Sequence, residues 1–311
     1  MPPSELENVV HDISFHKLQV FLVFLEAGSL ARAAERLQTS TVSVHRALHS
    51  LEEAARCALF RMQGRKLIPT EAALVLADVA REVLGAMDDG LRATRAAAGY
   101  ADGRIRLGAL YSLTVRFVPE LILNMRQRRP GLRVELILGS NADLIEQLHA
   151  GSIDATLMVT PPAEPRVQSI ELRHDELYFV APHGSRFADQ TSIDLRQLQD
   201  TQFVSLAEGF ATQGAFRDAF AAAGFTPDTA MQVTDIFSMA NMVSGGVGYA
   251  LLPGRVRSIF QHKLQFIALA PPYRVQQAIA LSFLRARERD PDLLLLASVC
   301  RVVAAAQSSQ P

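Results

Sequence analysis

Cysteine is scarce in this sequence: Cys57 and Cys300 are the only two in 311 residues. That excludes a secreted scaffold stapled by disulfides and points to a reducing compartment. No run reaches the ~18 consecutive apolar residues that a membrane helix needs; stretches such as Leu18–Leu25 and Leu293–Val299 are short or interrupted by polar residues. The opening stretch MPPSELENVVHD has no basic n-region and no apolar h-region, so no secretory signal, no membrane partner and a cytoplasmic location are expected. An excess of either charge is missing too, with 31 Lys+Arg against 32 Asp+Glu and a net charge of −1. Such a balance neither requires nor excludes a nucleic-acid partner, because the distribution of charge decides. A Gly-x-Ser-x-Gly elbow, a Gly-x-Gly-x-x-Gly turn, a P-loop and a Cys-x-x-Cys pair are all absent. No catalytic constellation therefore stands out, and no enzyme is expected. Cys57 and Cys300 read as core residues, and the Asp88-Asp89 pair as the solvated face of a helix.

What is present is ordinary globular material, 49% hydrophobic and 20% charged, enough for two or three folding units. In the first seventy residues, Phe15, Leu18, Phe21, Leu22 and Leu25 recur at helical spacing until Gly28. Ser29 is placed to cap a second helix with Leu30, Ala33, Ala34 and Leu37 as its stripe. After Gln38-Thr39-Ser40 a third helix is expected over Thr41–Ala55, burying Val44, Leu48 and Leu51, and Arg61–Leu67 carries glycine and charge where a hairpin tip would sit. Two helices joined by a tight turn and followed by a basic hairpin make a winged helix-turn-helix, assigned to 13–70. Between positions 32 and 66 seven cations face three anions, a net +4. That charge alone suits an ordinary solvated helical face equally well. Thr70 then caps a helix that runs to about Ala98 with apolar residues on more than one face. It reads as a linker and dimerisation helix, 71–100, the alternative being a core helix packed on its own domain.

From 101 onward strands and helices alternate. Strands are expected at Arg104–Leu110, Leu132–Leu138, Ala155–Val159, Leu177–Val180, Phe203–Ser205, Ala250–Leu252 and Ala278–Phe283. Helices are expected at Thr114–Arg128, Ala142–Ala150, Gly214–Ala223, Ser238–Ser244 and Leu293–Ala306. The pattern indicates a doubly wound parallel α/β sheet in two small lobes, lobe I at about 101–170 and 271–311 and lobe II at about 171–270. The cleft between them is where a ligand is expected, at strand ends and helix N-termini.

Five fragments in order then carry a family resemblance. Gly28–Leu37, together with Leu51-Glu52, Leu59-Phe60, Arg65 and Thr70-Glu71-Ala72, resembles the N-terminal signature of LysR-type transcriptional regulators. Leu148–Ala155 and Gly245–Pro253 resemble that family's effector-domain landmarks. The resemblance implies a winged helix, a linker helix and a two-lobed α/β domain like the type II periplasmic binding proteins. It also implies a homodimer or homotetramer on an inverted repeat of double-stranded DNA, a small-molecule effector, and RNA polymerase as a partner if the protein activates. The chain departs from the pattern at Thr41, where Gln is usual, at His45, where Ser is usual, and at Met62, where Arg is frequent. The stretch Ser40–Glu53 resembles regulators of malonate utilisation.

For DNA contact the candidates are Ser40, Thr41, Ser43, His45 and Arg46 on the third helix, with Arg61, Arg65 and Lys66 at the wing. Arg46 has an alternative, an ion pair with Glu52 or Glu53. His45 and His49 stand at zinc-ligand spacing, but Arg46 follows His45 where the metalloprotease motif has Glu, so no metal and no cofactor are expected. For the effector the candidates are Ser112 or Thr114 as a helix cap, Arg116 as a charge partner, Ser140 and Asn141, and, facing them, Ser205 with the Val247-Gly248 backbone. Such a site suits a carboxylate; plain capping is the alternative for the hydroxyls. An enzyme or a cytoplasmic small-molecule receptor built on the same cleft is the competing class.

Overall fold

The computed structural model describes residues 13–64, 66–97 and 103–308, which fall into two compact units, one ending near residue 101 and one beyond it. Among these residues no helix is long and apolar enough to cross a membrane.

The first unit opens with α1 (Phe15–Ala27), α2 (Leu30–Arg36) and α3 (Thr41–Ala55), each started by a serine. Ser14, Ser29 and Ser40 accept from the backbone N–H three residues on, which satisfies a donor the helix itself leaves open. Gly28 ends α1 in the left-handed region at φ 66°, where a side chain is disfavoured. Strands β1 (Phe60–Gln63) and β2 (Lys66–Pro69) form an antiparallel hairpin pairing Arg61 with Ile68 and Gln63 with Lys66. Phe21, Phe24, Val44, Leu48, Leu51, Leu59 and Phe60 share one core, with Phe60 edge-on to both Phe21 and Phe24. Helix α4 (Glu71–Ala97) contributes Ala73, Ala77 and Ala80 to that core while Leu74, Val75, Val79, Val83, Met87 and Leu91 are exposed.

The second unit is built on β3 (Arg104–Ala109), α5 (Phe117–Arg128), β4 (Arg133–Leu138), α6 (Asn141–His149), β5 (Ala155–Val159), β6 (Val167–Pro182) and β7 (Ser192–Ile193). It continues through β8 (Gln202–Leu206), α7 (Ala211–Ala222), β9 (Asp228–Val233), α8 (Ile236–Ser244), β10 (Ala250–Pro253), α9 (Arg257–Phe260), β11 (Leu264–Leu269), β12 (Gln276–Leu284) and α10 (Pro291–Ser308). The sheet runs β4-β3-β5-β12-β6-β11-β7, with β10 also on β6 and a separate parallel pair β8-β9.

The expected parallel sheet is thus a mixed one. Strands β3, β4 and β5 are parallel, but β12 runs antiparallel to both β5 and β6. Strand β6 is a single 16-residue strand where only Leu177–Val180 was expected. Its first half, QSIELRHDE, is too polar to show the buried-strand pattern, yet it pairs with β12, while its second half pairs with β10 and β11. The strand therefore belongs to both lobes and joins them. Lobe I has its own core around Leu107, Leu121, Leu157, Leu281 and Val299. In lobe II, Phe179, Phe203 and Phe220 lie on one side, and Val204, Met239, Val243 and Leu252 on the other.

Candidate functional site

Helix α3 sorts its residues by face. Val44, Leu48, Leu51 and Ala54 are buried, and Thr41, Val42, Ser43, His45, Arg46 and His49 are exposed. Ser40 fixes the start: its Oγ accepts from the Ser43 N–H at 3.1 Å and lies 2.9 Å from Ser43 Oγ. The two acidic residues proposed as partners for Arg46 are engaged elsewhere. Glu52 Oε1 accepts from the N–H groups of Leu59 (2.8 Å) and Phe60 (3.0 Å), tying α3 to the hairpin. Glu53 lies 3.3 Å from His49 Nδ1. Arg46 therefore makes no hydrogen bond or ion pair among the described residues. In the hairpin Arg61 and Lys66 are exposed, and Gly64 takes φ 63° at the tip. Arg65 lies outside the described residues. Helix α3 and the hairpin share one core, so Ser40, Thr41, Ser43, His45, Arg46, Arg61 and Lys66 ride on one rigid unit. Exposed hydroxyls and guanidinium groups on the first turns of such a helix are what base edges and phosphates take. Among the described residues no group of three or more His, Cys, Asp or Glu side chains is placed to hold a metal.

Between the lobes of the second unit lies a cavity of about 280 Å³, open solvent at its mouth included. Lobe I contributes Leu110, Tyr111, Ser112 and Asn141; lobe II contributes Leu206, Phe210, Thr212, Ile236 and Arg255. The first residues of α6 and α8, the first turn of α7 and a short 3-10 turn at Tyr111–Val115 thus all border it. Of the three α-helix starts, those of α6 and α8 are already capped by the carboxylates Asp143 and Asp235, which leaves the start of α7 as the positive dipole end facing the space. Neither Phe210 nor Leu110 caps its helix with a side chain.

Among the described residues Arg255 is the single cation lining the cavity. Its side chain is 5% exposed and its partner Asp175 is 7% exposed. Burial pulls the guanidinium below its usual value, against the Asp175 charge, which pulls it up. Asp175 and Gln277 face each other directly across β6 and β12, and both bind Arg255 Nη1, at 2.9 and 3.2 Å. Arg255 Nε donates to Ser112 Oγ at 2.7 Å, across the lobes. Asn141 bridges them as well, since its Oδ1 accepts from the Ala211 N–H at 3.1 Å.

Of the effector candidates, Ser112 and Asn141 border this cavity and six do not. Neither Ser112 nor Thr114 caps the following helix: Ser112 Oγ accepts from Arg255, and Thr114 Oγ1 donates to Tyr111 O at 2.6 Å inside its own turn. The 3-10 turn that separates β3 from α5 is the reason, because it moves the helix start on to Phe117. Arg116 is exposed and 3.7 Å from Glu120. Ser140 is buried and caps α6 reciprocally with Asp143. Ser205 is buried with its Oγ unpaired, and Val247 is exposed. Gly248 is pressed against the backbone of β8: a Cβ there would stand 2.8 Å from Gln202 O. Gly248→Ala is therefore expected to destabilise lobe II by about 1–3 kcal/mol through overpacking, read as a lowered urea midpoint with an unchanged slope.

The pattern of residues did not single out Arg255, Thr212 or Phe210. The available signal for Arg255 was its place two residues after Leu252-Pro253, the first cation beyond an apolar landmark.

Comparison with known proteins places this geometry. Residues 15–74 match the family model "Bacterial regulatory helix-turn-helix protein, lysR family", and residues 98–305 match "LysR substrate binding domain". The chain is 44% identical over 301 residues to a malonate utilization transcriptional regulator of Klebsiella pneumoniae, covering 96% of this chain and 98% of that one. It is 27% identical over 240 residues to a RuBisCO operon transcriptional regulator of Allochromatium vinosum, covering 77% and 79%. Among solved structures it resembles full-length CbnR complexed with its target DNA, with a TM-score of 0.65, 22% identity and coverage of 94% and 100%. The effector binding domain of QuiR in complex with shikimate matches at TM-score 0.60 and 19% identity, over 65% of this chain and 97% of that one. Both structures show the shared fold.

Proposed function

From the premise that this chain belongs to the LysR family of bacterial transcriptional regulators, we propose that it controls malonate-utilisation genes in response to a small carboxylate, malonate first among them. Two chains pair through α4 and present their winged helices to the halves of an inverted repeat, with Arg46, His45 and Thr41 toward base edges and Arg61 and Lys66 toward phosphates. The carboxylate enters the cavity between the lobes of the second unit. If the protein activates transcription, RNA polymerase is its further partner.

The observation that carries the effector class is the buried Arg255 at a cavity bordered by helix N-termini. A carboxylate needs charge-assisted donors in a place water has largely left, and this cavity supplies them. The relative that is 44% identical over nearly its whole length supports malonate as the first ligand to try. Binding controls transcription only to the extent that the ligand prefers one arrangement of the lobes over the other.

The experiment is a thermal-shift panel of mono- and dicarboxylates on the full-length protein. A ligand at ~100 times its dissociation constant stabilises the state it binds by about 2.7 kcal/mol. A selective rise in melting temperature with malonate is the expected result. No shift with any carboxylate removes the effector reading and leaves the DNA-binding assignment standing.

A further inference from the structure

We propose that Arg255 anchors the effector's carboxylate side-on through Nε and Nη2, and that Ser112 Oγ holds half of that edge until the ligand displaces it. This rests on the cavity being the carboxylate site.

A guanidinium carries five N–H donors in a fixed plane. In Arg255 the two on Nη1 go to Asp175 Oδ2 and Gln277 Oε1, and the one on Nε goes to Ser112 Oγ. The two on Nη2 meet no acceptor among the described residues. Asp175 is itself fixed, with Oδ2 accepting from the Arg255 N–H at 3.1 Å and Oδ1 from the Glu176 N–H at 2.9 Å. One edge of the guanidinium is thereby bolted to the strand pair that joins the lobes. The other edge, Nε with Nη2, carries a single hydroxyl oxygen, that of Ser112, which lines the cavity together with Arg255.

A carboxylate presents two oxygens at the spacing of those two N–H groups, which a hydroxyl cannot. Once displaced, Ser112 Oγ is free to turn its own proton toward the same carboxylate. Arg255 and Asp175 already neutralise each other, so the carboxylate seated on Arg255 brings one extra negative charge into a buried site and a dicarboxylate such as malonate brings a second. The start of α7, where the N-cap residue Phe210 supplies no side-chain cap, and the guanidinium donors offset this added charge, whereas the starts of α6 and α8 already carry Asp143 and Asp235. Thr212, on the first turn of α7, adds a hydroxyl whose oxygen accepts from Gln277 Nε2 at 3.4 Å and whose proton is free to donate. Ser112 belongs to lobe I and Arg255 to lobe II, so the exchange replaces a direct bond between lobes by one routed through the ligand.

The test is calorimetric titration of malonate into the full-length protein and three variants. Arg255→Lys keeps the charge but removes the planar edge. Arg255→Gln combined with Asp175→Asn removes both buried charges together, so neither is left unpaired. Ser112→Ala removes only the hydroxyl. Two charge-assisted hydrogen bonds are at stake, so Arg255→Lys and the paired variant are expected to weaken malonate binding by about 100-fold or more, and Ser112→Ala by no more than about tenfold. Cooperative thermal unfolding of each variant, measured without ligand, verifies the fold. On the unaltered protein, the Arg255 Nε–H resonance is expected to shift with malonate and not with malonamide, a readout independent of the variants. Arg255→Lys binding malonate within about threefold of the unaltered protein, or an Nε–H resonance that stays put at saturation, overturns the assignment of Arg255 alone. An unaltered protein that binds no carboxylate overturns the cavity reading with it.

Discussion

Asp154→Asn is expected to lower the stability of the second unit by about 3–5 kcal/mol, because it removes one partner of a buried ionic cluster. Asp154 is 1% exposed and sits in the turn before β5. One carboxylate oxygen accepts from the Arg106 N–H at 2.6 Å, and the other from Arg106 Nη2 at 2.9 Å and Arg287 Nη1 at 2.6 Å. Its own N–H donates to Arg106 O at 2.8 Å, so the turn is stitched to β3 from both sides. Burial works to raise the Asp154 pKa, but the hydrogen bonds from Arg106 and the charge of Arg287 outweigh it and bring the group down to about 2 from 3.8. A depressed carboxylate contributes its stability above the unfolded value and loses it as pH falls through the folded one. The contribution is about 2 kcal/mol, present above about pH 4 and fading toward pH 2. Asparagine keeps the shape and loses the charge, leaving Arg106 and Arg287 facing a neutral group in a site water scarcely enters. For a unit of this size the melting temperature is expected to drop by on the order of 10 °C. The same variant is expected to lose the acid-dependent component between about pH 4 and pH 2. A melting temperature within a degree or two of the unaltered protein, or an unchanged acid profile, contradicts the cluster's role.

That residue also shows where reading the sequence stops. The stretch Leu148–Ala155 was recognisable as a landmark, but nothing in it named Arg106 or Arg287, which lie 48 and 133 positions away. Local signals served well where the structure is local. The Ser29 cap, the stripe Val44, Leu48 and Leu51, and the charged tip before β2 sufficed to place the helices and the hairpin of the first unit, while the caps Ser14 and Ser40 emerged only in the structure. They failed where the sheet is assembled over distance. The polar half of β6 has no buried-strand periodicity, because its residues are satisfied by β12, about a hundred positions further on. The candidate cleft suffered the same limit. The strand-end rule led to Ser112 and Asn141, which border the cavity, and also to Thr114 and Ser140, whose hydroxyls are absorbed by their own turns. Arg255 was invisible because its role depends on Asp175 and Gln277, which two antiparallel strands bring face to face.

Val79→Glu combined with Val83→Glu is expected to convert the protein to monomers and to cost it about 100-fold or more in affinity for a full inverted repeat. Helix α4 divides its apolar residues between two uses. Ala73, Ala77 and Ala80 are buried against the three-helix core, where small side chains let the long helix approach closely. Val75, Val79, Val83, Met87 and Leu91, each 41–64% exposed, form a second row with no cover among the described residues. Spaced by four, the row winds slowly around the helix, as a seam between two crossing helices does. A second copy of the chain suits that row, because a two-fold axis buries the same row from both chains, residue i against j and j against i, and so counts every buried side chain twice. Two glutamates in each chain place four like charges in an apolar seam, at a cost no pairing in it can offset. The substituted positions are half exposed in the single chain, so the winged-helix core is expected to stay folded as a monomer, its melting temperature lowered only by the lost linkage to the partner. Once the chains separate, the second half-site must be found by a second, independent molecule, and the gain from linkage is lost. Phosphate contacts per binding event fall by half, so the slope of log affinity against log salt is expected to halve as well. Sedimentation reads the first effect and a salt series on operator DNA reads the second. A variant that remains dimeric and keeps the full salt slope shows that α4 is not the seam. One that becomes monomeric yet binds the full repeat undiminished shows that pairing does not hold the two winged helices in register.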